Sequence, residues 1–291
     1  MAAISFLKSG FDRASQKFKL SIYLWLIIIV VSLIALLPVN FQITTALGHL
    51  SWPENSLMPF ELNLVEIFLT NQNLLATYFI FLLVIILLSA VLSVFLSGGL
   101  FGQMINPGNR ISFPNFLAAG CRYFGRFLLS LILFIPFLAV FFLVFKLLSA
   151  PLNFWSAQAV SDWPVILAGW LSLVLLALLW PAFKVILDLV RIFMVAESKK
   201  VTASYASAFK FLRHHFFQLW GLYLLVTLAV VVVSAIWLAI CRLLSPAQPG
   251  SLFALILLGQ AFVLFRLLAR QVLIGVEYSY FSTRKEIVVN G

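Results

Sequence analysis

Residues 17–37 read KFKLSIYLWLIIIVVSLIALL, two lysines followed by eighteen positions without a charge. At 1.5 Å per helical residue, eighteen residues rise about 27 Å, close to the ~30 Å hydrocarbon thickness of a bilayer. The run lacks the apolar–polar alternation of a barrel strand. In hydrocarbon every backbone polar group needs an internal partner, and a continuous helix supplies one. Lysines at one end only give that helix a direction.

Five further apolar runs follow, at 75–96, 127–145, 165–183, 216–241 and 252–274. Arg266 and Arg270 interrupt the last, which places them at its basic end. The expected fold is therefore all-α: one transmembrane domain over 1–291, with spans at 20–37 and at these five runs. Composition points the same way. The chain is 64% hydrophobic and 10% charged with a mean hydropathy of +1.12, too apolar for a water-soluble fold of this length.

Charge sets the orientation. Seventeen of the nineteen Lys and Arg residues fall at one end of the runs, and only Lys146 and Arg242 at the other. By the positive-inside rule both termini are expected in the cytoplasm. The net charge of +10 then reads as attraction to anionic lipid headgroups, and nucleic acid is not an expected partner. No small-residue cleavage site follows the first run, which is expected to remain as a span. Cys121 and Cys241 are expected at opposite faces, so no disulfide joins them.

Ahead of each odd-numbered span lies a stretch with apolar residues at helical spacing. These are Ile4, Leu7, Phe11, Ala14 and Phe18; Phe113, Phe116, Gly120, Phe124 and Phe127; and Val201, Tyr205, Ala208, Leu212 and Phe216. The pattern predicts three hairpins, each preceded by a cytoplasmic amphipathic helix lying in the interface. Outside, Phe60, Leu64, Ile67 and Phe68 predict a short helix over 59–70. The connection 150–164 carries Trp155 and Trp163, suited to the membrane boundary, and Pro246 and Pro249 mark a tight turn. Pro136 and Pro181 are expected to kink their helices.

Three groups of residues stand out as candidate sites. Lys184, Asp188 and Arg191 share a helix face, as do Arg266, Arg270 and Glu277, and the two sets fall at the basic ends of spans four and six. Asp188 should pair with Lys184, Arg191 or an arginine of the sixth helix, since an isolated carboxylate at that depth is costly. The set forms either a gate for an anion or a structural charge pair. Ser89, Ser93 and Ser97, with Gly98 and Gly102, form a small-residue stripe suited to close helix packing, or else an unwound end lining a path. Gln260 is the uncharged polar residue deepest in a span.

Catalysis finds no constellation. No HExxH, P-loop or GxSxG is present, and His214 and His215 are adjacent, pointing about 100° apart on a helix. His49, Glu54, Glu61 and Glu66 lack a nucleophile beside them. No catalytic residue, metal or cofactor is expected.

The segments FLSGGLFG (95–102), FPNFLAAGCRYFGRF (113–127) and 188–215 resemble a broad group of bacterial six-helix integral membrane proteins without an assigned activity. In similar sequences the aspartate begins Asp-Tyr-Ala-Arg, where this chain has Asp188-Leu189-Val190-Arg191. The resemblance implies a bacterial inner-membrane location and transfers no mechanism. Three functional readings stand. The first is a non-catalytic accessory, scaffold or assembly subunit, which engages other membrane subunits through the stripe and lipids through its basic rim. The second is a transporter for a lipid-like or anionic solute, with Asp188, Arg191, Arg266 and Arg270 along the path. A membrane-embedded enzyme is third. A transporter should show a polar cavity at mid-depth bordered by Gln260 or Asp188, and a subunit a dry interior with a flat small-residue patch facing lipid.

Overall fold

A computed structural model describes residues 2–47, 72–106, 111–159, 161–244 and 249–290. The helix expected over 59–70, the external glutamates and His49 lie outside them, as does most of the turn near Pro246. The described residues form α1 (Ala2–Gln16), α2 (Lys19–Leu47), α3 (Gln72–Ile105), α4 (Phe113–Ala157), α5 (Trp163–Ala196), α6 (Val201–Leu243) and α7 (Pro249–Asn290), with no strand among them. Helices α2 to α7 are each long and apolar enough to cross a membrane.

The last five helices have 34 to 45 residues, roughly 50–70 Å of rise, far more than the ~30 Å of hydrocarbon. The excess lies chiefly at the basic end, and the packing is concentrated there. Phe101, Phe116, Phe127, Leu189, Ile192, Leu219, Ile274 and Tyr280 are buried together. The apolar runs themselves stay laterally exposed at Leu88, Leu143, Trp170, Val231 and Phe253. Lipid tails are as apolar as leucine, so hydrocarbon gives span–span contact no hydrophobic drive. Where water returns at the basic end, burial is favourable again.

This packing corrects the reading of the amphipathic stretches. Residues 113–126 and 201–215 are not separate helices but the first turns of α4 and α6. Their apolar faces are buried by protein: Phe116, Gly120 and Phe127 in one, Val201, Tyr205, Ala208 and Leu212 in the other. A face that pairs with neighbouring helices has the same periodicity as one that floats on lipid. Only α1 is separate, and its predicted face splits. Ala14 is buried while Ile4, Phe11 and Phe18 are exposed. The connection expected over 150–164 also contracts, because α4 continues through Pro151 to Ala157 and α5 starts at Trp163. Helices α4 and α5 likewise run on through Pro136 and Pro181.

Local chemistry explains the boundaries. Ser112, in extended conformation, caps α4 by accepting from the Asn115 N–H at 3.3 Å, and Pro114 sits in the first turn where its missing N–H is harmless. The carbonyls left open at the end of α3 are met in turn. Asn106 donates to Gly102 at 3.0 Å, and the Lys17 ammonium donates to Gln103 and Met104. Lys17 occupies the break between α1 and α2; burial, and then the Arg13 charge, hold it below the usual lysine range. Between α5 and α6, Ser198 takes the left-handed conformation (φ 52°), and Lys199 bridges the turn to Glu197 at 2.6 Å and to Ser207 at 2.9 Å.

Two glycine crossings set the helix spacing. Gly98, Gly99 and Gly102 of α3 meet Gly120, Phe116, Ala119 and Tyr123 of α4, and the Phe95 ring in turn covers Gly120. Gly275 of α7 lies against the backbone of Gly10, so α1 docks on α7 glycine to glycine. Helices α3 and α4 form the most extensive interface, whereas α2 rests on α7 and scarcely touches α3 among the described residues. The first two spans are therefore neighbours in sequence more than in packing.

A methyl group at position 275 would lie 2.9 Å from the Gly10 carbonyl oxygen and 3.1 Å from its Cα, and backbone cannot swing aside. Gly275→Ala should lower stability by about 1–3 kcal/mol. Gly169, with open space around its Cβ position, should accept alanine with no loss, because alanine is the better helix former. Thermal unfolding of both variants in the same detergent checks the contrast.

Candidate functional site: a charge cluster beside a lateral cavity

Helices α5 and α7 run the same way, so their basic ends face each other. The sequence left Asp188 three possible partners, and the structure selects Arg270. The guanidinium holds the carboxylate through two bonds of 2.6 Å, Nη1 to Oδ2 and Nη2 to Oδ1. Arg191 stands at 3.8 Å, a secondary charge without a direct hydrogen bond. Asp188 is 1% exposed. Arg191 lies over the rings of Phe101 and Phe127 (5.8 and 5.3 Å), and Arg270 also lies over Phe101 (5.8 Å). One acid thus joins α5 to α7, and two aromatic faces carry the arrangement to α3 and α4. Parallel fork bonds of this kind are the strong form of ion pair, and the rings stabilise the cations where water is scarce.

Glu277 is buried on α7, within electrostatic reach of Asp188, Arg270 and Lys184. Neither of its carboxyl oxygens has a hydrogen-bond partner among the described residues, and the same holds for the side-chain amides of Gln103 and Gln271. Lys184 and Arg266 form no ion pair among the described residues. Each lies near a ring, Trp180 and Phe262 respectively.

Both cations border a cavity of about 560 Å³ between α2, α5, α6 and α7. Its polar lining is Lys184, Tyr223, Thr227, Arg266 and Arg270, and its apolar lining includes Ile28, Val226, Val230, Val263, Leu267 and Leu273. Among the described residues no carboxylate lines it, and neither Asp188 nor Gln260, the residues expected to border a transporter's cavity, does so. Along the helices, Tyr223, Thr227 and Arg270 lie toward the basic end, Lys184 and Arg266 each one turn farther, and Val263 and Ile28 beyond. The cavity therefore changes from cationic to apolar in the direction in which a leaflet changes from headgroup to tail. On the opposite flank of α2, two wholly apolar crevices of about 620 and 420 Å³ share Val31.

The other sequence candidates go elsewhere. Ser89, Ser93 and Ser97 donate to carbonyls of their own helix at Ile86, Ala90 and Ser93 (2.7–2.8 Å). Gly98 and Gly102 remain helical and are covered by α4, so no unwound end forms there. Gln260 accepts from Trp25 Nε1 at 2.9 Å and ties α2 to α7. Sequence reasoning passed over Trp25, Tyr223 and Thr227. The last two are a hydroxyl pair four residues apart in an otherwise apolar run, which is a readable signal. No protein-family model, curated protein or solved structure matches this chain, so its geometry carries the functional argument.

Asp188→Asn would leave Arg270 and Arg191 facing a neutral amide. Breaking one side of a buried pair should cost about 3 kcal/mol, and a second change, Arg270→Met, should recover much of that loss. A double-variant cycle of detergent unfolding midpoints measures this. A loss in the double variant equal to the sum of the two single losses would show that the pair does not join the helices.

Proposed function

We propose that this chain takes an anionic, lipid-like molecule sideways from the bilayer into the cavity between α2, α6 and α7. One observation carries the reading. The cavity places two hydroxyls and two cations, without an ion pair among the described residues, toward one end and apolar walls at the other, in the order of headgroup and acyl chain. A dry bundle that only held subunits together would have no need of Lys184 and Arg266 in that position. The glycines that a scaffold could have offered to a partner helix are covered by α4. The reading is of a transport or lipid-handling protein, non-catalytic, with Asp188, Arg191 and Arg270 fixing the wall and Lys184 and Arg266 facing the ligand.

In this reading the basic end and both termini lie in the cytoplasm, and the membrane is a bacterial inner membrane. Seventeen cations at one end support the orientation. Helix α1 then lies in the cytoplasmic interface: Ile4 and Phe11, with Phe18 in the break that follows, recur seven residues apart and are exposed, and Lys8 is available to headgroups.

Lipid extracted from the purified protein should be enriched in anionic species, and the double variant Lys184→Gln, Arg266→Gln should lose that enrichment several-fold. Arg242→Gln, at the far end, should keep it. Native mass spectrometry reads both, and retention of the lipid by the double variant would remove the basis of the reading. For orientation, Ala157→Cys in a background with Cys121→Ser and Cys241→Ser should react with an impermeant maleimide on intact cells. Ser9→Cys should react only after permeabilisation. The reverse pattern would invert the protein in its membrane.

A further inference from the structure

We propose that the headgroup accepted by this cavity is a phosphate monoester, carrying two negative charges, on a lipid tail. The inference rests on the reading of the cavity as an anionic-lipid site and specifies the charge and shape of the ligand. Charge comes first. Arg270 borders the cavity, but both of its terminal nitrogens are committed to Asp188. Lys184 and Arg266 form no ion pair among the described residues, and no carboxylate among them lines the space, although Asp188 and Glu277 lie within electrostatic reach of Lys184. Across the cluster the four cations Lys184, Arg191, Arg266 and Arg270 outnumber the two carboxylates Asp188 and Glu277 by two, so two positive charges are left to be matched. A partly desolvated charge without a counter-charge is unfavourable, so a monoanionic ligand would leave one of them uncompensated. A dianion matches both.

Donor geometry agrees with the charge. Lys184 is a compact ammonium with three donors, and Arg266 presents a planar fork. The hydroxyls of Tyr223 and Thr227 stand four residues apart on α6, on the same lining, and Tyr223, whose oxygen accepts from Arg270, keeps its proton to donate. Four donor groups from three helices suit a terminal phosphate with three free oxygens better than a diester or a carboxylate, which present two. The tail side is equally defined. Ile28, Val230 and Val263 continue the lining without a polar atom from a side chain, and Arg266 is exposed where a headgroup would enter. The volume of about 560 Å³ lies within the usual range for small-molecule sites, enough for a headgroup and the start of a chain.

The test compares four probes on the full-length protein in detergent by native mass spectrometry at pH 8. They are dioleoyl phosphatidic acid, dioleoyl phosphatidylglycerol, dioleoyl phosphatidylcholine and glycerol 3-phosphate. Phosphatidic acid should bind about tenfold or more tightly than phosphatidylglycerol, the equivalent of one matched charge near 1.4 kcal/mol. That preference should shrink as the second phosphate proton returns at about pH 6. Lys184→Gln should bring phosphatidic acid down to the level of phosphatidylglycerol, and Lys184→Arg should retain the difference. Equal binding of the two anionic lipids overturns the monoester inference and leaves the anionic-lipid reading intact. Binding no better than phosphatidylcholine overturns both. Displacement of phosphatidic acid by glycerol 3-phosphate at equal concentration would assign the site to a soluble phosphate ester and overturn the lipid tail.

Discussion

A carboxylate withdrawn from water at the end of a span is tolerable only with a cation held against it, and the Asp188–Arg270 pair is that arrangement. Its consequences spread through both partners. The bond fixes α5 against α7 in register. It also commits the Arg270 fork to the protein, so the cationic character of the adjoining cavity falls to Lys184 and Arg266. Through Arg191, the acid reaches the rings of Phe101 and Phe127, and with them the two helices joined by the glycine crossing. Structural pairing and the proposed ligand capture are thus divided among neighbouring cations on two helices, a division that spacing along either helix does not reveal.

The second organising constraint is the solvent itself. The six apolar helices are held together where they leave the hydrocarbon. Their middle and far portions keep broad lateral exposure at residues such as Leu88, Trp170 and Val231. A structure held at one end leaves space between its members at the other, and the cavity and crevices lie where the packed end gives way to the exposed runs. The lateral openings follow from the same lack of hydrophobic drive that leaves the spans unpacked.

Six apolar runs announced six helices long and apolar enough to cross a membrane because composition alone decides that question. Helix ends were harder. Gly98, Gly99 and Gly102 read as a possible break, yet α4 covers them and α3 continues to Ile105. Residues 113–127 and 201–216 had the periodicity of interface helices, and that signal cannot distinguish lipid from a neighbouring helix as the buried phase. Both members of the Asp188–Arg270 pair were singled out, but the choice among Lys184, Arg191 and Arg270 depends on α5 and α7 being neighbours that run in parallel. Gln260 stood out as a polar residue in a span; its partner Trp25 looked like an ordinary boundary aromatic. The cavity has no sequence signature because a void is defined by what the surrounding helices fail to fill.

The placement of α2 draws these constraints together. Leu20, Ser21 and Leu24 are buried at its basic end, next to the break where Lys17 caps α3. Beyond them, its exposed Leu33, Ile34 and Leu37 show how little covers the helix. Ile28 lines the cationic cavity on one flank, while Ile27 and Val31 line the apolar crevices on the other. In that stretch the Trp25–Gln260 bond is a polar tie across to α7. Among the residues whose surroundings are described, α2 is the wall of the cavity with least covering it, closely packed at its basic end and open on both flanks beyond. In the proposed function an amphiphile would pass from the bilayer beside α2, drawn by Arg266 at the exposed margin and then by Lys184, while its tail remained in a medium no different from the one it left.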